Sequence, residues 1–137
     1  MFVLSRRSAL LAAVCLTLPV AGRAAIPSPN WQQHPWQLMM VGTPSCEFCQ
    51  AWHRGIAPSY PQSSAGRVAP LFNVDIDGPY PDGLALERRP RVTPTFVLLF
   101  KGAEVGRIEG LDDNSVFYPS IQRLMHQAGI LSDKDAL

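Results

Sequence analysis

Two cysteines three positions apart, Cys46 and Cys49 in Ser45-Cys46-Glu47-Phe48-Cys49, are the residues whose type and spacing suit chemistry. A pair so close cannot staple distant parts of a fold, so the usual structural role of an exported disulfide does not apply. What remains is thiol–disulfide exchange or a metal. Structural zinc needs four ligands, and only His34, His53 and His126 stand elsewhere to supplement two thiols. A c-type haem needs His directly after the second Cys, where Gln50 stands. A soft dithiolate also suits Cu(I), which keeps a Cu(I)- or Zn(II)-binding protein as the alternative reading. Met39 and Met40 read as core filling rather than metal ligands. The primary reading carries no metal and no cofactor.

The two sulfurs are expected to be unequal. A Thr43-Pro44-Ser45 break precedes Cys46, which places it at the first position of a helix, where unpaired amide groups and partial positive charge favour thiolate. Cys46 is then the exposed attacking thiol. Cys49, one turn on and beside Trp52, is the shielded thiol that resolves a mixed disulfide. Glu47 partly opposes the thiolate if its carboxylate points toward the sulfur. His53 shares the azimuth of Cys46 to within about 20°, but seven residues of helix put it roughly 10 Å away along the axis, too far for a hydrogen bond. It reads as a surface histidine.

Positioning the pair falls to short elements. Trp36 to Val41 is an apolar run that suits a buried strand, and Phe48, Cys49, Trp52 and Ile56 then keep helical spacing until Pro58 and Pro61. A polar loop, Gln62 to Arg67, leads to a second strand within Ala69 to Ile76, closed by Asp77-Gly78-Pro79. A short helix is expected near Leu84 to Arg88. Thr95 to Phe100, the turn Lys101-Gly102 and Glu104 to Ile108 form a hairpin signal. Asp112 or Asp113 caps a last helix carrying Phe117, Ile121, Leu124, Met125 and Ala128, with Pro119 in its first turn. Strand–helix–strand crossing over into parallel pairing, then an antiparallel hairpin, implies an α/β three-layer sandwich with helices on both faces of the sheet.

Length and the N-terminus bound the rest. The 137 residues suffice for one domain, with 12 basic and 11 acidic side chains and no basic stripe of the kind nucleic-acid binding needs. Residues 1–25 read as a cleaved signal peptide: Arg6 and Arg7, an apolar run from Ala9 to Val20 too short to span a bilayer, and Gly22-Arg23-Ala24 as a cleavage site. Ser5-Arg6-Arg7 matches part of a twin-arginine signal, with Ala9 where Phe is preferred; Sec export fits equally. Cys15 leaves with this segment, and Ala12-Ala13-Val14 before it is a poor lipidation site. Removing Arg6, Arg7 and Arg23 takes 12 basic residues to 9 against 11 acidic, about −2 for the mature 26–137 domain. The expected product is periplasmic, monomeric and without membrane insertion.

The CxxC helix together with Val92-Thr93-Pro94-Thr95 resembles the thioredoxin superfamily, in which a cis-proline faces the active-site loop. The resemblance implies a minimal four-stranded thioredoxin fold over about residues 36–128 and a cis Thr93–Pro94 bond. Phe48, Thr93 and Pro94 would then border a substrate groove with one strand-like backbone edge. Pro79-Tyr80-Pro81 is a candidate addition to its rim. The strings Cys46 to Pro61, Ala69 to Asp77, Arg91 to Leu98 and Glu104 to Gly110 are similar to the periplasmic thioredoxins of sulfur-oxidation clusters, the SoxS family. That resemblance implies an oxidoreductase that keeps a sulfur-carrier protein of thiosulfate oxidation in a working thiol state, supplied by an upstream thiol donor. A general disulfide oxidase or isomerase, and a non-catalytic partner-binding module, are the other classes held open.

The chain departs from thioredoxin proper at several places. Ser45 replaces the Trp before the first Cys, Glu47-Phe48 replaces Gly-Pro, and Met40 occupies the place of a buried acid. Proton transfer to Cys49 must therefore use water or another group. The aromatic before the second Cys and the Gly110-Leu111-Asp112-Asp113 turn also resemble glutaredoxins.

Overall fold

A computed structural model describes residues 29–131; the signal-peptide expectation falls outside them. Four strands, β1 (Trp36–Gly42), β2 (Leu71–Asp75), β3 (Thr95–Phe100) and β4 (Ala103–Glu109), form one mixed sheet in the order β2-β1-β3-β4. β1 pairs parallel with β2, Met40 opposite Asn73, and antiparallel with β3, Met40 opposite Phe96. Among the described residues there are three α-helices: α1 (Glu47–Gly55), α2 (Ser64–Val68) and α3 (Phe117–Gln127).

The apolar runs of β1 and β3 are continuous because both of their faces are covered. Alternate residues divide between two cores. Leu38, Met40, Phe96 and Leu98 pack with Cys49, Trp52, Ala65, Phe117, Ile121 and Met125 of the three helices. Met39, Val41, Val97 and Leu99 face the other way, where Trp31, Ile76, Tyr80, Leu84 and Leu86 lie against them. The fold is the expected α/β thioredoxin-like arrangement, with a local correction in this outer layer. Residues 84–88 are not helical: Leu84 and Leu86 point to the sheet while Ala85 bridges in parallel to Ala103 at the start of β4.

Other local expectations also change. The supposed polar loop 62–67 is largely taken up by α2, which follows a 3₁₀ turn, Tyr60–Gln62, and is capped by the Ser63 hydroxyl accepting the Gly66 N–H at 2.9 Å. Tyr60 is buried and donates its hydroxyl to Ala69 O at 2.8 Å; burial raises its pKa, so it stays neutral. Asp113 accepts from Ser115 N, capping the 3₁₀ turn Asn114–Val116 that leads into α3 rather than α3 itself. Tyr80 belongs to the outer layer, with its hydroxyl on Ile76 O and the Arg89 guanidinium 5.2 Å from its ring centre. It packs on the outer face of the sheet.

The hairpin forms as its sequence predicts. Lys101 and Gly102 both take positive φ, which a two-residue turn between right-twisted strands requires. A bulge follows, since Leu98 pairs with Gly106 but Leu99 with Glu104, leaving Val105 as the extra residue. Beside it, Arg107 makes a charge-assisted pair with Glu104 at 2.5 Å and a second with Glu109 at 3.1 Å. The same cluster holds the outer layer: Glu104 accepts the Glu87 N–H, Arg107 donates to Arg88 O, and Arg88 bonds Glu109.

Candidate active site

Cys46 sits at the N-cap of α1, one position before the helix proper, with extended backbone angles (φ −76°, ψ 109°). Its sulfur accepts the Cys49 N–H at 3.1 Å, and its carbonyl accepts the Gln50 N–H at 3.0 Å. The first of these satisfies an N–H that a helix start otherwise leaves to solvent, and the second is the first intrahelical bond. The approach to the helix is braced as well. Cys46 N donates to Thr43 O, and the Gln50 side chain reaches back to Pro44 O at 2.7 Å.

The two sulfurs are joined as a disulfide, with Cα atoms 5.2 Å apart. They differ in access: Cys46 is half-buried, whereas Cys49 is 2% exposed and packs in the helix-side core. Trp52, one turn below, is fully buried amid Tyr60, Phe96 and Phe117. Phe48 projects from the same turn as the cysteines but stays 41% exposed.

Backbone proximity contributes a feature that sequence reasoning passes over. A Cβ built on Gly42 would stand 3.1 Å from Cys49 Sγ, so the end of β1 approaches the inner sulfur closely only because it carries no side chain. Gly42 also accepts the Ile76 N–H at 3.0 Å, tying β1 to the exit of β2 at this level.

Thr93 and Pro94 reach the same end of the sheet through strand register. Thr95 pairs with Val41, so the residues just before β3 stand level with the end of β1, from which the Cys46 loop departs. The Thr93–Pro94 peptide is cis, as is Gly78–Pro79, which has no distinguishing signal in the sequence. Pro94 is buried and its carbonyl accepts the Gly110 N–H at 2.9 Å; Thr93 is half-buried and Val92, beside it, is 45% exposed. The Thr95 hydroxyl donates to Val92 O at 2.8 Å and fixes the bend.

Among the described residues, no three His, Cys, Asp or Glu side chains gather as a metal-holding group, and no helix is long and apolar enough to cross a membrane. His53 is exposed with its ring edge against Trp52, 5.3 Å between ring centres, one turn beyond Cys49 rather than beside Cys46.

A redox pair at a helix N-terminus, on a β2-β1-β3-β4 mixed sheet with a cis-proline at the head of β3, defines a thioredoxin-like oxidoreductase site. Comparison with solved structures agrees. The chain is similar to the periplasmic thioredoxin SoxS of Paracoccus pantotrophus in its reduced form, with 41% identity over 68% of this chain and 98% of that one, at a TM-score of 0.65. It is also similar to thioredoxins of Fasciola hepatica (16% identity, 66% of this chain and 81% of that one, TM-score 0.46) and Malassezia sympodialis (20%, 66% and 75%, TM-score 0.45). Those two are too distant to carry any part of the assignment. No protein-family model matches, and neither does any curated protein sequence. The chain belongs to the SoxS family of the thioredoxin-like superfamily and is a thiol–disulfide oxidoreductase.

Proposed function

We propose that this oxidoreductase works in the periplasm, after removal of residues 1–25, and keeps one kind of partner, a sulfur-carrier protein of thiosulfate oxidation, in its working thiol state. The observation that carries the reading is the unequal access of the two sulfurs at the helix start, half-buried Cys46 against a 2% exposed Cys49. Its support in choosing a partner is the 41% identity to a protein named as a periplasmic thioredoxin SoxS.

The chemistry runs through two exchanges. Cys46 thiolate attacks one sulfur of the partner's disulfide, the other sulfur leaves as thiolate, and a mixed disulfide forms. Cys49 loses its proton and attacks Cys46 Sγ; the partner's second thiolate leaves and Cys46–Cys49 closes. Two electrons pass to the partner, and an upstream thiol donor restores the dithiol. Phe48, Thr93 and Pro94 form the wall along which an extended partner segment lies, the exposed ring supplying apolar contact and the Thr93 backbone a strand-like edge.

The test is a trap in the native cell. Cys49→Ser cannot close the ring, so the monomeric protein should hold one or a few periplasmic proteins through Cys46, the sulfur carrier first among them. Recovery of a broad set of secreted disulfide proteins would sink the reading in favour of a general folding catalyst.

A further inference from the structure

With Met40 buried where thioredoxin proper holds an acid, the inner thiol needs another route for its proton. A cavity of about 280 Å³ opens between α1 and β2, lined by Gly42, Cys49, Gln50, His53, Asn73 and Asp75 among others. Its inner residues, Met40, Cys49 and Val74, are buried, whereas Gln50, His53, Asn73 and Asp75 are exposed, so it runs from solvent to the shielded cysteine. Cys49 Sγ lies against Gly42, the lining residue without a side chain to block it.

We propose that this cavity is the proton path of Cys49 and that His53 is the group that exchanges the proton. This rests on Cys46 attacking and Cys49 resolving, as given above. His53 follows Cys49 by four residues on α1, a spacing that sets side chains about 5–6 Å apart, within reach through one water. At roughly 30 Å³ per water the cavity holds several, and Gln50, His53, Asn73 and Asp75 supply the polar partners such waters need. Asp75 ends β2 and is held by its Oδ1 accepting the Asp77 N–H at 2.8 Å, which fixes a carboxylate at the cavity wall.

Other titratable groups near His53 are few. Its own helix brings Glu47 and Arg54; the turn after β2 brings Asp77. The 3₁₀ turn bonded to α1 through Asn114 brings Asp113, whose carboxylate is engaged by Ser115. Tyr60, against Trp52, stays neutral in its burial. β1 and β3 bring none to this side. When Cys49 attacks Cys46 Sγ, its proton passes through water to the His53 imidazole and on to solvent. When the Cys46–Cys49 disulfide is reduced, the departing Cys49 thiolate takes a proton back along the same path.

Stopped-flow reaction of the reduced protein with 5,5′-dithiobis(2-nitrobenzoate) separates the steps, because Cys46 attack releases the first thionitrobenzoate and Cys49 attack the second. His53→Gln should slow the second release about tenfold near neutral pH, leave the first unchanged, and remove the histidine limb from the pH profile of the second. An unchanged second-step rate and profile in His53→Gln would overturn the proposal, as would equal slowing of both steps. Loss of the first release in Cys49→Ser would overturn the thiol roles, and the proposal with them.

Discussion

Cys46 Sγ accepts the backbone N–H of Cys49 at 3.1 Å, so the more accessible sulfur caps the helix that carries its own partner. The helix start favours negative charge at that position. Attack and resolution should therefore separate cleanly by residue. Cys49→Ser is expected to accumulate a stable mixed disulfide with a small aromatic disulfide, whereas Cys46→Ser forms little. Intact-mass spectrometry checks this, and equal adduct formation by both variants would reverse or erase the roles.

Gly42 leaves the space that Cys49 Sγ fills. A methyl group there would meet the sulfur at 3.1 Å, tighter than ordinary contact. Gly42→Ala should cost about 1–3 kcal/mol of stability through overpacking and slow closure of the Cys46–Cys49 bond. Urea unfolding of the oxidised and reduced forms checks it; a variant of unchanged midpoint would show that β1 yields easily.

Phe48 and Trp52 lie four residues apart on α1 yet serve opposite environments, 41% exposed against fully buried. Trp52→Ala should lose about 3–5 kcal/mol by emptying the aromatic cluster. Phe48→Ala should change stability by under about 1 kcal/mol while weakening partner capture. Chemical denaturation alongside a Cys49→Ser trapping yield distinguishes the two effects.

Acid should loosen the edge formed by β4. Glu104 is disfavoured as a charge by burial, but hydrogen bonds from Arg107 and the Glu87 N–H outweigh this and hold its carboxyl below the usual range. Glu109 is also held low, chiefly by its hydrogen bond from Arg107. A carboxyl lowered on folding contributes its full stability above the unfolded value near 4.3, and loses it as pH falls through the lower folded value. Glu104 and Arg107 side chains are only 4% and 7% exposed, so Glu104→Gln should cost toward the lower end of about 3–5 kcal/mol at pH 7, Glu109 remaining as a partner. The same variant should flatten the decline of urea midpoint below pH 4.

Much of this architecture is legible from residue order because its signals are local. α1 has a helical apolar stripe bounded by prolines, β1 and β3 are short buried runs, and Lys101-Gly102 marks the hairpin from β3 to β4. α2 is five residues long and contains Gly66, too short for periodicity to register. Leu84 and Leu86 alternate with exposed neighbours, a pattern of period two, but a short apolar run there also fits a helical turn. The relation of His53 to Cys49 is written in the spacing. The cavity between them and Asp75 depends on β2 lying beside β1 in one register, and no local pattern encodes that.

The bridge from Ala85 to Ala103 has a further effect. Glu104 N donates to Ala85 O and Ala85 N to Gly102 O, so the outer backbone of β4 is partly occupied by the chain's own irregular segment. At the opposite margin β2 is five residues long and displays Asn73 and Asp75 to solvent. Open sheet margins invite strand addition from neighbouring molecules, and occupancy, brevity and charge each discourage it. The two margins of the sheet are thereby kept from zipping onto other chains.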